Sequence, residues 1–454
     1  MINEKKIRHA RIHSVGNAIK LEKRLSIRNQ RNAIGPQRPI VISKFLYLED
    51  RTPQQLEKST ELFEVDIFPD LRKLLFNHQG RSMRILYDGV IYRIQRYGGV
   101  VRYFNGLIRN LPVHVHPTLI SPNQPAYPPA HPNLSTYIET CGPLLWPIKP
   151  LRKQIIATRT FNRIKFAKPD VIHPTYYYNS TRNLAKNLKT PVVLTVYDLI
   201  HERFPAQMDP YGKQVKLKQS ALNRADAIIC ISESTKNDLL RYYQIAEDRI
   251  SIVYPGCDFK VQNSPQEIDS THPYILFVGE RRSYKNFDRF VEAFSTLHLK
   301  HPDLRVRCVG GAPFSHAEIK KLSKLGVVDK VTREKHLPDE EMQTVYSQAV
   351  ATIYPSLYEG FGIPILEAMS CGTAVLTSDR ASMPEVARNA AIYFDPYSID
   401  AIAESIEQVL DSERRTSMIR RGFAQAKKFS WNQSAFRTAE IYAAVSGTRM
   451  RAAA

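Results

Sequence analysis

Pro355-Ser-Leu-Tyr-Glu-Gly-Phe-Gly-Ile-Pro-Ile-Leu-Glu-Ala-Met-Ser-Cys-Gly372 is the stretch on which the reading of this chain turns. The run before it, residues 350–354, is short, apolar and rich in β-formers, and predicts a buried strand. Gly360 and Gly362 bracket Phe361, so the backbone can turn tightly there and come close to a ligand. Pro364 suits the first turn of a helix, where its missing N–H costs nothing. The helix is expected over 365–370 and ends near Gly372. Strand, glycine loop and helix start together present unpaired N–H groups and a partial positive charge, which suits a phosphate. Glu359 and Glu367 flank the loop. A carboxylate is a poor neighbour for an anion but a strong acceptor for hydroxyl groups. Phosphate beside several hydroxyls describes a sugar nucleotide.

The pair Glu359 and Glu367, the Gly-Phe-Gly between them and the Glu-Ala-Met-Ser-Cys-Gly that follows resemble the E-x7-E pattern of retaining glycosyltransferases with the GT-B fold, family four in particular. Two glutamates at this spacing alone would read as a surface turn and a helix carboxylate. The whole stretch is far more specific. The resemblance covers about residues 83–446 and is strongest after 263. It implies that Gly360, Phe361, Gly362 and Ile363 lie against a nucleotide-sugar donor, with N–H groups around Gly362 on its diphosphate. It further implies that Glu359 bonds the donor sugar and Glu367 the nucleotide ribose.

With 454 residues and an apolar share of 43%, the chain is long enough for two or three ordinary globular domains. No apolar run approaches the ~20 residues that span a bilayer, and no signal-peptide core opens the sequence. The five cysteines, Cys141, Cys230, Cys257, Cys308 and Cys371, are odd in number and form no C-x-x-C. They read as buried thiols of a reducing compartment, which makes the expected location cytoplasmic. The formal charge is +20. Residues 1–82 hold 16 Lys and Arg against 9 Asp and Glu, residues 83–262 hold 24 against 12, and residues 263–454 hold 24 against 23. A basic excess of this kind fits nucleic acid, an anionic membrane surface or simply a soluble basic face. No zinc-finger, RRM or KH motif accompanies it, so no nucleic-acid partner is expected.

Taken in order, residues 1–82 form a basic extension of unknown role, with one candidate strand (40–48) and one candidate helix (69–76). They are either a true extension or an unused upstream start. A first strand is expected at 83–89, then Tyr97-Gly98-Gly99-Val100 and a helix over 101–111. Strand, glycine pair and helix again suit a phosphate or sugar. The resemblance implies that Gly98 and Gly99 form its first glycine loop, facing donor and acceptor. No G-x-G-x-x-G exists to support a dinucleotide-dependent dehydrogenase. Residues 112–150 carry ten of the 29 prolines and read as an irregular segment with one strand at 113–120, either an acceptor-side loop or a surface excursion. Strands at 170–173, 191–196 and 225–231 then alternate with helices, which implies a parallel sheet with ligands off its C-terminal edge. Tyr197 and Asp198 sit at such an edge. The family shows His-Asp-Leu there, so Tyr197 stands where a histidine would touch the donor sugar, and its hydroxyl could bond a sugar oxygen instead. Ser232-x-x-Thr235 reads either as a site element or as a helix cap. Residues 263–273 are polar and proline-bounded, a linker by composition.

The second domain opens with a strand at 274–279, followed at once by Arg281, Arg282 and Lys285. Three cations at a strand end beside a helix start are placed to neutralise a diphosphate. The resemblance implies one Arg and one Lys here: Lys285 holds the lysine position, read as an exposed loop cation, while Arg281 and Arg282 compete for the other. Further strands are expected at 305–309, 350–354 and 373–376. Ser382-x-x-Glu385 has the form of a capping box. A helical pattern over 431–444 matches the helix that crosses back to the first domain in GT-B enzymes.

The expected fold is therefore α/β and GT-B: two doubly wound Rossmann-like domains facing across a cleft. The first spans 83–262 on the acceptor side, the second 263–430 on the nucleotide-sugar side, and a returning helix and tail fill 431–454. The implied activity is transfer of a hexose, mannose from GDP-mannose favoured, to a saccharide or lipid-linked acceptor in surface-polysaccharide synthesis. Lys285, Arg282 and Glu359 would be the catalytic set. No cofactor or metal is implied, since the chain holds no D-x-D. The protein would be peripheral on the inner face of the membrane. A non-catalytic sugar-nucleotide-binding relative, or a phosphorylase or epimerase on the same fold, are the alternatives.

Overall fold

The computed structural model describes residues 82–139, 158–160, 162–177, 189–259, 272–281 and 283–452. The strand at 40–48, the helix at 69–76, Cys141 and Arg282 lie outside them. Seven short strands make the first sheet: β1 Met83–Tyr87, β2 Val115–Ser121, β3 Ser135–Ile138, β4 Val171–His173, β5 Val193–Val196, β6 Ala227–Cys230 and β7 Ile250–Ile252. They run parallel in the orders β3-β2-β1-β4 and β5-β6-β7, and a bridge between Ile172 and Val192 joins the two groups. β4 and β5 are buried at every residue, as expected of strands covered on both faces. β3 lies inside the segment read as irregular. Its four residues are polar or half-exposed and sit at the sheet edge, where no apolar run is needed.

The second sheet contains β8 Tyr274–Val278, β9 Arg305–Val309, β10 Val331–Glu334, β11 Ala351–Tyr354, β12 Ala374–Ser378 and β13 Ala391–Phe394. Its order is β10-β9-β8-β11-β12-β13, all parallel. The two edge strands β10 and β13 were not expected, and each has mostly half-exposed residues. The helices on these sheets are α1 Gly99–Arg109, α2 Lys213–Arg224, α3 Glu233–Tyr242, α4 Phe287–Leu297, α5 His316–Lys324, α6 Asp339–Ser347, α7 Ile363–Ser370, α8 Met383–Ala387, α9 Ile399–Leu410, α10 Ser412–Ala426 and α11 Trp431–Ala452. The order of the second sheet reverses between β8 and β11, and that of the first between β1 and β4. Ligands of doubly wound sheets bind where the order reverses, beyond the strand C-termini. The topology therefore points to the segments after β8 and β11.

α11 returns to the first sheet. The Tyr442 hydroxyl lies 2.9 Å from that of Tyr87 and 2.5 Å from His173 Nδ1. His173 Nε2 meets Thr195 Oγ1 at 2.9 Å. Burial pushes the His173 imidazole down to about 3, so it stays neutral. His173 ends a strand, yet it belongs to the core under α11. Among the described cysteines, Cys230, Cys308 and Cys371 are buried and Cys257 half-buried, all as free thiols.

Candidate active site

α7 begins directly after the quoted loop, two residues earlier than expected, with Pro364 in its first turn. Gly362, its N-cap, has φ of 97°, a left-handed backbone that only glycine adopts at no steric cost. No side chain caps this end and no acidic residue stands in its first turn. The same holds for α1, which starts at Gly98 and Gly99. By contrast α3, α5, α9 and α10 are capped by Ser232, Ser315, Ser398 and Asp411. Both of these helix ends, one after β11 and one near the end of β1, thus present the positive pole of the dipole with no capping or acidic side chain of their own. Gly98 and Gly99 are exposed, and the space around Gly99 is open.

Lys285 closes the one-turn helix Ser283–Lys285 after β8. Its Nζ lies 2.5 Å from Glu359 Oε1 and donates to the Tyr354 hydroxyl at 3.1 Å. The two charged side chains are only 13% and 14% exposed, so Lys285 is not the exposed loop cation that its sequence context implied. Burial opposes the charge on Lys285, but Glu359 and Tyr284 outweigh it and leave the ammonium above its ordinary range.

Arg281 is committed elsewhere. Its Nε donates to Glu318 Oε1 at 2.6 Å, its Nη2 to the Ala312 carbonyl at 2.6 Å, and its guanidinium lies 4.5 Å over the Phe314 ring. The expected competition for the arginine role is thereby changed: Arg281 fastens the start of α5, because Glu318 of that helix turns towards it. Phe361 also differs from expectation. Its ring is 2% exposed and packs on Tyr254 and Phe429, so what it offers the loop surface is backbone. Ile363 is half-buried at the first turn of α7.

Glu367 is held from two sides. Tyr346 donates to Oε2 at 2.9 Å, and Arg102 of α1 donates to Oε1 at 2.5 Å. The other arm of Arg102 meets Asp339 Oδ1 at 2.5 Å. Beside it Tyr97 stacks on His336 with ring centroids 4.2 Å apart. The first sheet's α1 therefore reaches residues of the second sheet across the cleft.

The glycine loop is tied to the first sheet as well. Ser232 Oγ and Thr235 Oγ1 donate to the Gly360 carbonyl at 2.6 and 3.1 Å, while Ser232 also caps α3 through Thr235 N–H at 2.9 Å. The Ser382-x-x-Glu385 capping box does not form. Ser382 Oγ instead lies 2.9 and 3.0 Å from the carbonyls of Glu359 and Phe361. Glu385 accepts from the N–H groups of Glu233 and Ser234 at 2.7 and 3.1 Å, so it caps α3 from the other sheet. A four-residue pattern carries no sign of partners some 150 positions away.

Tyr197 also departs from expectation. Its ring is buried beside Tyr103 and Tyr177, and its hydroxyl donates to the Thr175 carbonyl at 3.2 Å. It therefore cannot replace the family's histidine at the sugar by its side chain; what it turns to the loop is its carbonyl, packed on Gly360. Asp198 turns back on the Ile200 N–H at 3.1 Å, and its carbonyl accepts from the buried Lys218 at 2.9 Å. The Leu199 N–H donates to the Tyr358 hydroxyl oxygen of the quoted stretch at 3.0 Å. The structure so brings together Lys285, Glu359, Glu367, Gly98, Gly99, Asp198 and the start of α7 around the cleft. Sequence reading missed Arg102, Asp339, Tyr346 and Tyr354; only the charge of Arg102, one turn after the glycine pair, could have signalled the first.

Two Rossmann-type sheets whose reversal points hold a buried cation, two carboxylates and two uncapped helix ends define a GT-B architecture. Family models agree: residues 258–425 match the model described as glycosyl transferases group 1, and residues 97–261 that of glycosyltransferase family 4. The O-antigen chain mannosyltransferase B of Escherichia coli is 32% identical over 243 residues, which span 50% of this chain and 63% of that protein. The alpha-maltose-1-phosphate synthase of Mycolicibacterium smegmatis is 30% identical over 310 residues, spanning 61% of this chain and 79% of that protein. Among solved structures, the sucrose-phosphate synthase of Thermosynechococcus elongatus superposes with a TM-score of 0.66 at 20% identity, over 82% of this chain and 100% of that one. The chain belongs to the GT-B glycosyltransferases of family four.

Proposed function

We propose that this protein moves a hexose from a nucleotide sugar to a saccharide or lipid-linked acceptor, with retention at the anomeric carbon and with mannose from GDP-mannose as the favoured donor. The observation that carries this reading is the Lys285–Glu359 pair beside the uncapped start of α7, at the point where the second sheet reverses its order. Charge develops on the diphosphate as the glycosidic bond breaks. Fixed donors aimed at that charge lower the barrier most where water is excluded. Lys285 and the N–H groups around Gly362 supply them, with Arg282 as the further cation. Glu359, held by Lys285, accepts from hydroxyl groups of the donor sugar, and Glu367 from those of the ribose. The mannosyltransferase of E. coli supports mannose as the sugar. Because side chains and helix ends carry the positive charge, the reaction needs no divalent ion. The test is incubation with GDP-mannose, UDP-glucose or ADP-glucose and a mannosyl acceptor, followed by NMR of the product's anomeric centre, with and without EDTA. A product with the donor's anomeric configuration, formed equally with EDTA, is expected. An inverted product, or none from any donor, overturns the reading; loss in EDTA restored by Mn²⁺ overturns its metal-free part.

The same proposal places the protein on an anionic membrane surface. Among the described residues no helix is long and apolar enough to cross a membrane. Phe166 is 85% exposed and stands between exposed Lys165 and Lys168 in the first domain. Each such cation near an anionic leaflet contributes about 1 kcal/mol. Sedimentation with phosphatidylglycerol vesicles should show binding that fades as salt rises. No pelleting at low salt favours a soluble acceptor instead.

A further inference from the structure

Arg102 is the cation that the donor-site scheme leaves without a task. It projects from α1 of the first sheet, one turn after Gly98 and Gly99, and its guanidinium lies 5.3 Å over the Phe259 ring. One arm reaches Glu367 Oε1 at 2.5 Å and the other Asp339 Oδ1 at 2.5 Å. Glu367 is 6% exposed, Asp339 55% and Arg102 23%. The buried carboxylate therefore has its counter-ion on the opposite side of the cleft.

An ionised carboxylate offers about four lone-pair sites. Arg102 takes one on Oε1 and Tyr346 one on Oε2. About one site per oxygen remains, on two adjacent oxygens of one carboxylate. That is the acceptor pattern for a vicinal diol. A buried carboxylate next to a diphosphate is costly unless a cation accompanies it. Here the cation comes from α1, on the other side of the cleft. Burial works against the charge on Arg102, and Glu367 with Asp339 more than restores it, so the guanidinium stays charged throughout the working range of pH.

We propose that Arg102 is a positioning residue that orients and neutralises Glu367 for the ribose diol, so that recognition of the nucleotide's hydroxyl groups is linked to closure of the cleft. The inference rests on the reading of Glu367 as the ribose acceptor. It gives α1 a specific duty: the helix that starts at the glycine pair delivers a cation into the nucleotide half of the site. It also explains the fork. Lysine, a point charge, cannot serve two carboxylates in fixed geometry as guanidinium does.

The test is calorimetric titration of the full chain and of R102M with GDP and UDP, and with their 2′,3′-dideoxy analogues. Met keeps the aliphatic stem over Phe259 and removes both arms. The wild type should bind one diphosphate and weaken by roughly a hundredfold when both hydroxyls are removed. R102M should bind that diphosphate about thirtyfold less tightly, and the dideoxy penalty should fall below about tenfold. A purely structural role for Arg102 leaves the dideoxy penalty unchanged. If R102M does not fold, R102K decides: it should lose part of the discrimination. Wild-type discrimination in a folded variant overturns the inference and leaves the donor-site reading intact. A wild type that binds no diphosphate, or does not discriminate, overturns that reading and the inference with it.

Discussion

Lys285→Ala is expected to lower kcat by about three orders of magnitude, the range found when one preorganised charge-stabilising donor is removed. Lys285 stands at the strand end where the second sheet reverses, 2.5 Å from Glu359 and 3.1 Å from the Tyr354 hydroxyl. Its removal takes away the cation nearest the proposed diphosphate. It also frees Glu359, which is 14% exposed, from the partner that holds it beside the proposed sugar site. The fold should lose about 2 kcal/mol, because one half of a largely buried pair is left alone. This differs from the negligible stability effect expected of an exposed cation. The ammonium's pKa is raised above its ordinary 10.5 in the folded state. The pair's stabilisation is thus complete below the unfolded value and is lost as pH rises through the folded one. The stability gap between wild type and variant should be level at neutral pH and close above about 10.5. Steady-state turnover and urea melts across that range check both parts. Near-normal turnover in Lys285→Ala would remove this residue from the mechanism.

Among the described glycines, Gly360→Ala should be the most disruptive substitution. Gly360 does not have a positive φ, so backbone conformation is no obstacle. Space is. A Cβ there would overlap the carbonyl oxygen of Tyr197 in the first sheet, which is backbone and cannot rotate away. The Gly360 carbonyl is at the same time fixed by Ser232 and Thr235. Relief requires the loop to leave α3 and Tyr197, and with them the position of Glu359 and the start of α7. The expected cost is about 3 kcal/mol, the upper end of overpacking effects, accompanied by loss of turnover. Thermal melts with small-angle scattering separate unfolding from an opened cleft. A variant with wild-type melting and activity would show that the loop does not seat against Tyr197 in solution.

The sequence by itself determined the features whose causes are local. Residues 350–372 read correctly as strand, glycine turn and helix start, because apolar periodicity, two glycines and one proline act within a few positions of each other. The parallel alternation, and with it two Rossmann-like sheets, followed from buried apolar runs such as β5 and β8. The edge strands β3, β10 and β13 were not legible, since an edge needs neither full burial nor an apolar run.

Only the tertiary structure decided what each polar side chain faces. Arg281 and Lys285 stand four positions apart in one basic cluster, yet one turns to Glu318 and the other to Glu359. Ser382 and Glu385 spell a local cap and instead hold the loop and α3. Tyr197, at a strand end, points into the core, while Arg102, one turn past the glycine pair, reaches Glu367 across 265 positions. Hydrogen bonds and ion pairs are short and directional, so they are settled by where two distant backbones come to rest. Hydrophobic periodicity is a property of each segment alone, and a chain carries it in plain view before it folds.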